Sequence, residues 1–207
     1  MDRYRGGVLL LALFVIFTVI VKVLSEPKVP GNVFLFHLIN DAQVAPLNPV
    51  MVFLSEYGRE YVWIPVVGLL FFLRRRAAIL MASAFVVDIV LGEALKYAVA
   101  QMRPFLFVPA HLLIPPPTDF SYPSGHALIV STGAIMSYYT LPRWAWIPLM
   151  LEAVAVSYSR VYVGVHWPAD ILGGWLLGVA VAQLTFLAER LSWYRSLERV
   201  LRVKGVQ

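Results

Sequence analysis

The sequence predicts an all-α integral membrane protein, with six transmembrane helices in one bundle and a short interfacial helix between the first two. Three observations predict it. Of the 207 residues 60% are hydrophobic and 14% charged, with a mean hydropathy of +0.75, whereas soluble domains run near half apolar and a quarter charged. The apolar residues are gathered into long runs, and the basic residues collect in alternate connections. One bundle of this kind makes residues 1–207 a single domain.

A span needs roughly 20 residues at about 1.5 Å of rise each. The first is Gly7 to Leu24. Its basic start from Met1 to Arg5 resembles a signal sequence, and Val23 and Ser25 suit a cleavage site, but the segment is expected to remain as an uncleaved anchor. From Glu26 to Leu47, Pro27, Pro30 and Gly31 break the chain, and the apolar run Val33 to Ile39 is too short to cross. It predicts the interfacial helix.

Only Tyr61 to Leu73 is cleanly apolar in the second span, so the helix must start earlier. Asn48 followed by Pro49 is a good entry, because Asn caps free amides and proline is tolerated at the first helical position. Pro65 predicts a kink. The third span runs from Ala77 to Ala100, the fourth from Ser124 to Leu141, the fifth from Trp144 to Tyr158 and the sixth from Pro168 to Ala188. Residues 105–122, with prolines at 115, 116 and 117, predict a structured loop.

Orientation follows from the basic residues. With the N-terminus inside, Arg3, Arg5, Arg74, Arg75, Arg76, Arg143, Arg190, Arg195, Arg199, Arg202 and Lys204 are cytoplasmic, which is 11 of the 17 Lys and Arg. That bias places both termini in the cytoplasm of a multi-pass cell-membrane protein. The net charge of +5 is explained by this distribution, so no nucleic-acid partner is expected. The absence of cysteine removes disulfides and thiolate chemistry.

Three polar segments then fall together at the outer, non-cytoplasmic helix ends. In the first, Lys96 and Arg103 are seven residues apart, close to two helical turns, with Pro104 marking the helix end. A lysine offers a point charge and an arginine a planar fork for phosphate oxygens, although alone both fit side chains snorkelling to headgroup level. In the second, Pro123-Ser124-Gly125-His126, Ser124 caps the fourth span and the free amides of a helix start suit a phosphate. There His126 is placed to protonate a leaving oxygen; an ordinary cap with an interfacial histidine is the alternative. The third is Ser159-Arg160, then His166 and Asp170. His and Asp at i and i+4 allow the carboxylate to fix the imidazole tautomer and free the other nitrogen for attack, and Arg160 adds a second fork; taken alone, a structural His/Asp pair also fits.

In this order the residues match Lys-x6-Arg-Pro, Pro-Ser-Gly-His and Ser-Arg-x5-His-x3-Asp at every specified position. The chain thereby resembles the type 2 phosphatidic acid phosphatase superfamily, whose membrane members also carry six spans. The resemblance implies a membrane lipid phosphatase with His166 as nucleophile forming a phosphohistidine, Asp170 orienting it and His126 as general acid. Lys96, Arg103, Arg160, Ser124 and the Gly125 amide would bind the phosphoryl oxygens. It implies no metal and no cofactor, and none of the usual metal-ligand spacings is present.

The expected partners are the bilayer and an amphipathic lipid phosphate. A polyprenyl diphosphate carrier, undecaprenyl or dolichyl, is the first choice, and phosphatidic acid, phosphatidylglycerol phosphate and lipid A phosphate are the alternatives. Transfer of phosphate to an alcohol, and a non-enzymatic anionic-lipid transporter or binding protein, are the remaining readings. The soluble vanadium haloperoxidases share the site chemistry, but six apolar runs argue against that class. Nothing in the sequence assigns an oligomeric state. Glu93, three residues before Lys96, is expected to pair with it, and Gly174 and Gly178 predict close helix packing. Asp88 and Glu152 are charges in apolar spans without an assigned role. His37, His111 and Asp119 are loop residues on the side of the site.

Overall fold

The computed structural model describes residues 3–188; the basic cluster from Arg190 to Lys204 lies outside them. The described chain is helical. Helices α1 (Arg3–Leu24), α2 (Asn32–Asn40) and α3 (Asn48–Phe53) are followed by a π-helical turn at Leu54–Gly58 and by α4 (Arg59–Leu73). Then come α5 (Arg75–Val99), α6 (Gly125–Thr140), α7 (Arg143–Tyr162) and α8 (Pro168–Ala188). Three helical segments, Arg5–Leu24, Arg75–Leu106 and Pro168–Leu187, are long and apolar enough to cross a membrane.

Burial is inverted relative to a soluble protein on the outer faces. Val8, Leu9, Val15, Ile16, Val19 and Val23 of α1 are exposed, and so are Phe72, Leu73, Ile89 and Val90. An apolar surface of this extent requires a partner, and in a chain of this composition lipid supplies it. The interior is filled by small residues and a few large ones: Trp63, Leu128, Met136, Ala153 and Leu177 share one core.

Helix α6 stands at the centre, packed on α5, α7 and α8. Its approach to α8 depends on glycine. A Cβ at Gly174 would meet Ala127 Cβ and the Ser124 carbonyl, each at 2.9 Å, and one at Gly178 would meet Ser131 Oγ. Thr132 Oγ1 donates to the Gly178 carbonyl across that interface at 3.1 Å. This close packing holds the starts of α6 and α8 side by side. Ser124 N donates to the Asp170 carbonyl at 3.2 Å, which joins two of the motif segments through backbone alone.

Several boundaries differ from those read in the sequence. Helix α7 continues past Tyr158 to Tyr162, so Ser159 and Arg160 lie in its last turn. Helix α5 stops at Val99 because Ala100 turns left-handed, φ 56°, which places Arg103 in extended backbone beyond the helix. The short helix expected between the first two spans is present as α2, tied down by Asn40 Nδ2, which donates to the carbonyls of His111 at 3.0 Å and Tyr162 at 2.8 Å. The second apolar segment contains Pro65, and a π-helical turn, which no residue pattern announced, interrupts it near its entry.

Candidate functional site

The start of α8 fixes the first group. Asp170 is the third residue of that helix, and its Oδ2 accepts from the Trp167 amide at 2.8 Å, as an acid does in a capping box. The same oxygen accepts from Ser121 Oγ at 2.5 Å and faces His166 Nδ1 at 2.9 Å. His166 therefore carries its proton on Nδ1 and donates it to Asp170. Nε2 is turned the other way, 3.4 Å from Arg103 Nη1. Both residues are buried, His166 at 2% and Asp170 at 0% exposure. Burial first, and then the nearby Arg103, pushes the His166 pKa down to about 3 against the pull of Asp170. The imidazole is thus neutral at ordinary pH, with an unprotonated nitrogen facing a guanidinium.

Arg103 and Arg160 act on that imidazole, and Lys96, like Arg160, acts on His126. Arg103 is held by Nη1 on the Val165 carbonyl at 2.6 Å, Nε on the Asp119 carbonyl at 3.0 Å and Nη2 on Asp119 Oδ1 at 2.6 Å. Arg160 donates Nη1 to the Ser55 carbonyl at 2.8 Å and to Ser55 Oγ at 2.6 Å. Ser55 belongs to the π-helical turn, so that irregular stretch is what receives Arg160. The buried Arg160 Nε makes no hydrogen bond among the described residues. Lys96 pairs closely with Asp119 and more loosely with Glu93, at 3.7 Å. The expected Glu93 partner is present, but Asp119 is the nearer one.

Asp119 was an unassigned loop carboxylate in the sequence, and here it bridges Lys96 and Arg103. Burial alone would raise its pKa; the hydrogen bonds and charges of those two cations outweigh this and lower it to about 2. A single anion thus spans the pair that the sequence set aside for phosphate.

The α6 start supplies the last wall. Ser124 is the N-cap, its Oγ accepting from the Ala127 amide at 3.5 Å. A Cβ on Gly125 would meet nothing within 4 Å, so open space lies beside the first turn of the helix, where free amides and the positive dipole end attract anions. His126 follows in the same turn, and the charges of Arg160 and His166 both act on it. The structure thus brings together Lys96, Arg103, Ser124, Gly125, His126, Arg160, His166 and Asp170, and leaves His37 apart, paired with Asp41 at 3.1 Å. Among the described residues no cluster of three or more His, Asp or Glu side chains has metal-binding geometry.

Sequence reading missed three members of this neighbourhood. Ser121 and Trp167 reach Asp170 as described. Glu26 is fully buried, and its backbone is pinned by Gln101 Oε1 at 3.0 Å and Asn32 Nδ2 at 2.9 Å. Asn32 Oδ1 in turn accepts from the Ala169 amide beside Asp170 at 2.9 Å. The Glu26 carboxyl interacts with Asp170, although Asp170 Oδ1 and both Glu26 oxygens fall outside strict hydrogen-bond geometry. Burial and then the Asp170 charge raise the Glu26 pKa well above the carboxylate range. The available signal was only a lone acid between two apolar segments, beside Pro27. Of the two unassigned acids in apolar helices, Glu152 Oε2 accepts from Trp63 Nε1 at 3.1 Å, and Asp88 lies against Thr132.

The chain is 53% identical over 206 residues to the undecaprenyl-diphosphatase of Sulfolobus acidocaldarius, covering 98% of this chain and all of that one. It is 30% identical over 148 residues to phosphatidylglycerophosphatase B of Bacillus subtilis, covering 64% and 70% of the two chains. Among solved structures, Aquifex aeolicus LpxE superposes with a TM-score of 0.72 at 28% identity, over 79% of this chain and 98% of that one. The PAP2-type phosphatidylglycerolphosphate phosphatase of Bacillus subtilis superposes with a TM-score of 0.70 at 26% identity, over 91% and 98%. Residues 76–194 match the PAP2 superfamily, and with a near-full-length relative at 53% identity the chain belongs to that family.

Proposed function

We propose that this protein is a metal-independent membrane phosphatase that removes the terminal phosphate of a polyprenyl diphosphate. The observation that carries the reading is the His166 imidazole, neutral, oriented by Asp170 through Nδ1 and presenting Nε2 to a cluster of cations. The near-full-length likeness to an undecaprenyl-diphosphatase selects the substrate class.

In the proposed reaction, Nε2 of His166 attacks the terminal phosphorus, and the bond to the bridging oxygen breaks as a phosphohistidine forms. Asp170 holds the growing imidazolium charge. His126 donates a proton to the bridging oxygen, releasing the polyprenyl monophosphate. Water, giving its proton to His126, then attacks the phosphohistidine and releases inorganic phosphate. Lys96, Arg103, Arg160 and the amides at Gly125 hold the equatorial oxygens, where the charge of a phosphoryl transition state resides.

The proposed setting is a single domain over residues 1–207 with six spans: α1, the α3–α4 path, and α5 to α8. Both termini lie in the cytoplasm and the site at the opposite face. Basic residues at Arg74 to Arg76 and Arg143 support this orientation. The substrate enters laterally, its tail in lipid.

Phosphate release from polyprenyl diphosphate, phosphatidic acid and phosphatidylglycerol phosphate, compared in detergent, tests the assignment. The diphosphate is expected to be the best substrate, and a clear preference for either glycerolipid would overturn the choice. Turnover is expected to survive EDTA and to be blocked by vanadate, which mimics the five-coordinate phosphorus. Strict dependence on added magnesium would count against a histidine nucleophile served by protein cations.

Glu26 is proposed as a neutral carboxylic acid that steadies Asp170. Its folded-state pKa is raised, so the folded protein retains a proton that the unfolded chain loses above about 4.3. That contribution is full at lower pH and declines as pH rises toward the folded value. Glu26→Gln keeps a donor to Asp170 without a titrating group. It is expected to hold activity within about threefold and to raise the melting temperature at pH 8, whereas Glu26→Ala, which removes the polar group buried beside Asp170, lowers kcat about tenfold or more. Equal activity in all three proteins would remove the proposed role.

A further inference from the structure

The chain holds a cation near the site that none of the three motifs contains. Arg59 opens α4, one helical turn after Ser55, the residue that receives Arg160. Because this part of the chain runs from the loop side at Asn48 toward Leu73, Arg59 lies one turn further along the bundle than the Arg160 contact. Its charge acts on both His126 and Arg160.

The surroundings of Arg59 differ from those of the other cations. Lys96, Arg103 and Asp119 line a cavity of about 530 Å³ on the side of the 105–120 loop. Arg59 lines a separate cavity of about 540 Å³ together with Gly125, whose open side faces it. From there the walls are mainly apolar, with Trp63, Ile64, Val67, Phe85 and Ile89 around the single carboxyl of Asp88. Along α5 this groove extends from Glu93 to Ala82, about 16 Å at the helical rise. Arg59 therefore stands between the start of α6 and the apolar groove, next to the histidine assigned to protonate the leaving group. Nε and Nη2 are engaged by Glu60 Oε1, and Nη1 makes no hydrogen bond among the described residues. The second Glu60 oxygen is buried and unpartnered.

From this placement we propose that Arg59 forms a second phosphate subsite, which holds the non-reacting phosphate of a lipid diphosphate while the terminal phosphate sits at His166. This deepens the diphosphatase reading and rests on it. When the bridging P–O bond breaks, the departing group is a phosphate monoester whose negative charge grows beside His126. A guanidinium there stabilises that charge as the bond lengthens. With a monophosphate ester the departing group is a neutral alcohol once protonated, and Arg59 has no oxygen to grip. Arg59 thus favours diphosphates over monophosphates, a discrimination that Lys96, Arg103 and Arg160 cannot make because they contact the phosphoryl group common to both.

The test measures kcat/KM of the full chain for farnesyl diphosphate and for farnesyl monophosphate, which differ only in the second phosphate. Arg59→Gln is expected to lower the ratio of diphosphate to monophosphate kcat/KM about 30-fold, and Arg59→Lys to restore most of it. Glu60→Gln, which releases the guanidinium from its neighbour, is expected to lower KM for the diphosphate alone. If Arg59→Gln reduces both substrates in proportion, or if the ratio is unmoved in all three variants, the subsite is overturned while the diphosphatase reading stands. If the unsubstituted protein fails to hydrolyse the diphosphate, both fall.

Discussion

Phosphate release is expected to fall on the order of 10⁴-fold or more when His166 is replaced by asparagine, which preserves a polar contact to Asp170 but has no ring nitrogen to attack with. Losses of this size accompany removal of a covalent nucleophile, because the remaining groups bind substrate without an alternative route. The accompanying observation is an acid-labile, alkali-stable phosphoenzyme in the unsubstituted protein and none in the variant. Turnover retained in purified His166→Asn would end the assignment. The same substitution has a signature in stability. His166 is neutral when folded down to about pH 3, whereas the unfolded chain takes its proton near pH 6.5. Stability is thus present above pH 6.5 and is lost as pH falls toward 3. Across that interval His166→Asn is expected to show a flatter dependence of melting temperature on pH.

His126→Ala is expected to lower kcat by about 10² to 10⁴-fold, the range for loss of a general acid, and its effect depends on the leaving group. A lipid monophosphate ester departs as an alkoxide unless protonated, so its hydrolysis suffers most. An aryl phosphate leaves without help and recovers most of the first step. Hydrolysis of the phosphohistidine still needs a base, so labelled enzyme is expected to accumulate with the aryl substrate. If the loss is the same for good and poor leaving groups, His126 only binds.

The motif residues were legible because each belongs to a local pattern: a helix start at Ser124, a proline after Arg103, and an i, i+4 pair at His166 and Asp170. Their convergence depended on placing three segments at the same end of the bundle, which the expected succession of spans supplied. The residues that escaped notice reach the site through tertiary structure. Ser121 approaches Asp170 because the 105–122 loop folds back so that the Ser121 amide bonds the Gln101 carbonyl at 2.8 Å. Glu26 is brought in by a turn at Ser25, where φ is +64°, and a serine there carries no warning of a left-handed conformation. The π-helical turn that presents Ser55 to Arg160 follows from a shift in backbone bonding, to which hydrophobic periodicity is blind. Arg59 went unassigned for a related reason: the groove beside it is made with residues of α5 and α6.

The carboxylate of Asp119 between Lys96 and Arg103 has a consequence for the cycle as a whole. The loop acid already neutralises those two cations, so under the proposed reaction a lipid headgroup that uses both would have to displace it. A competitor attached to the chain acts at the same effective concentration in every cycle. Free phosphate would meet the same tethered rival, which would favour its release.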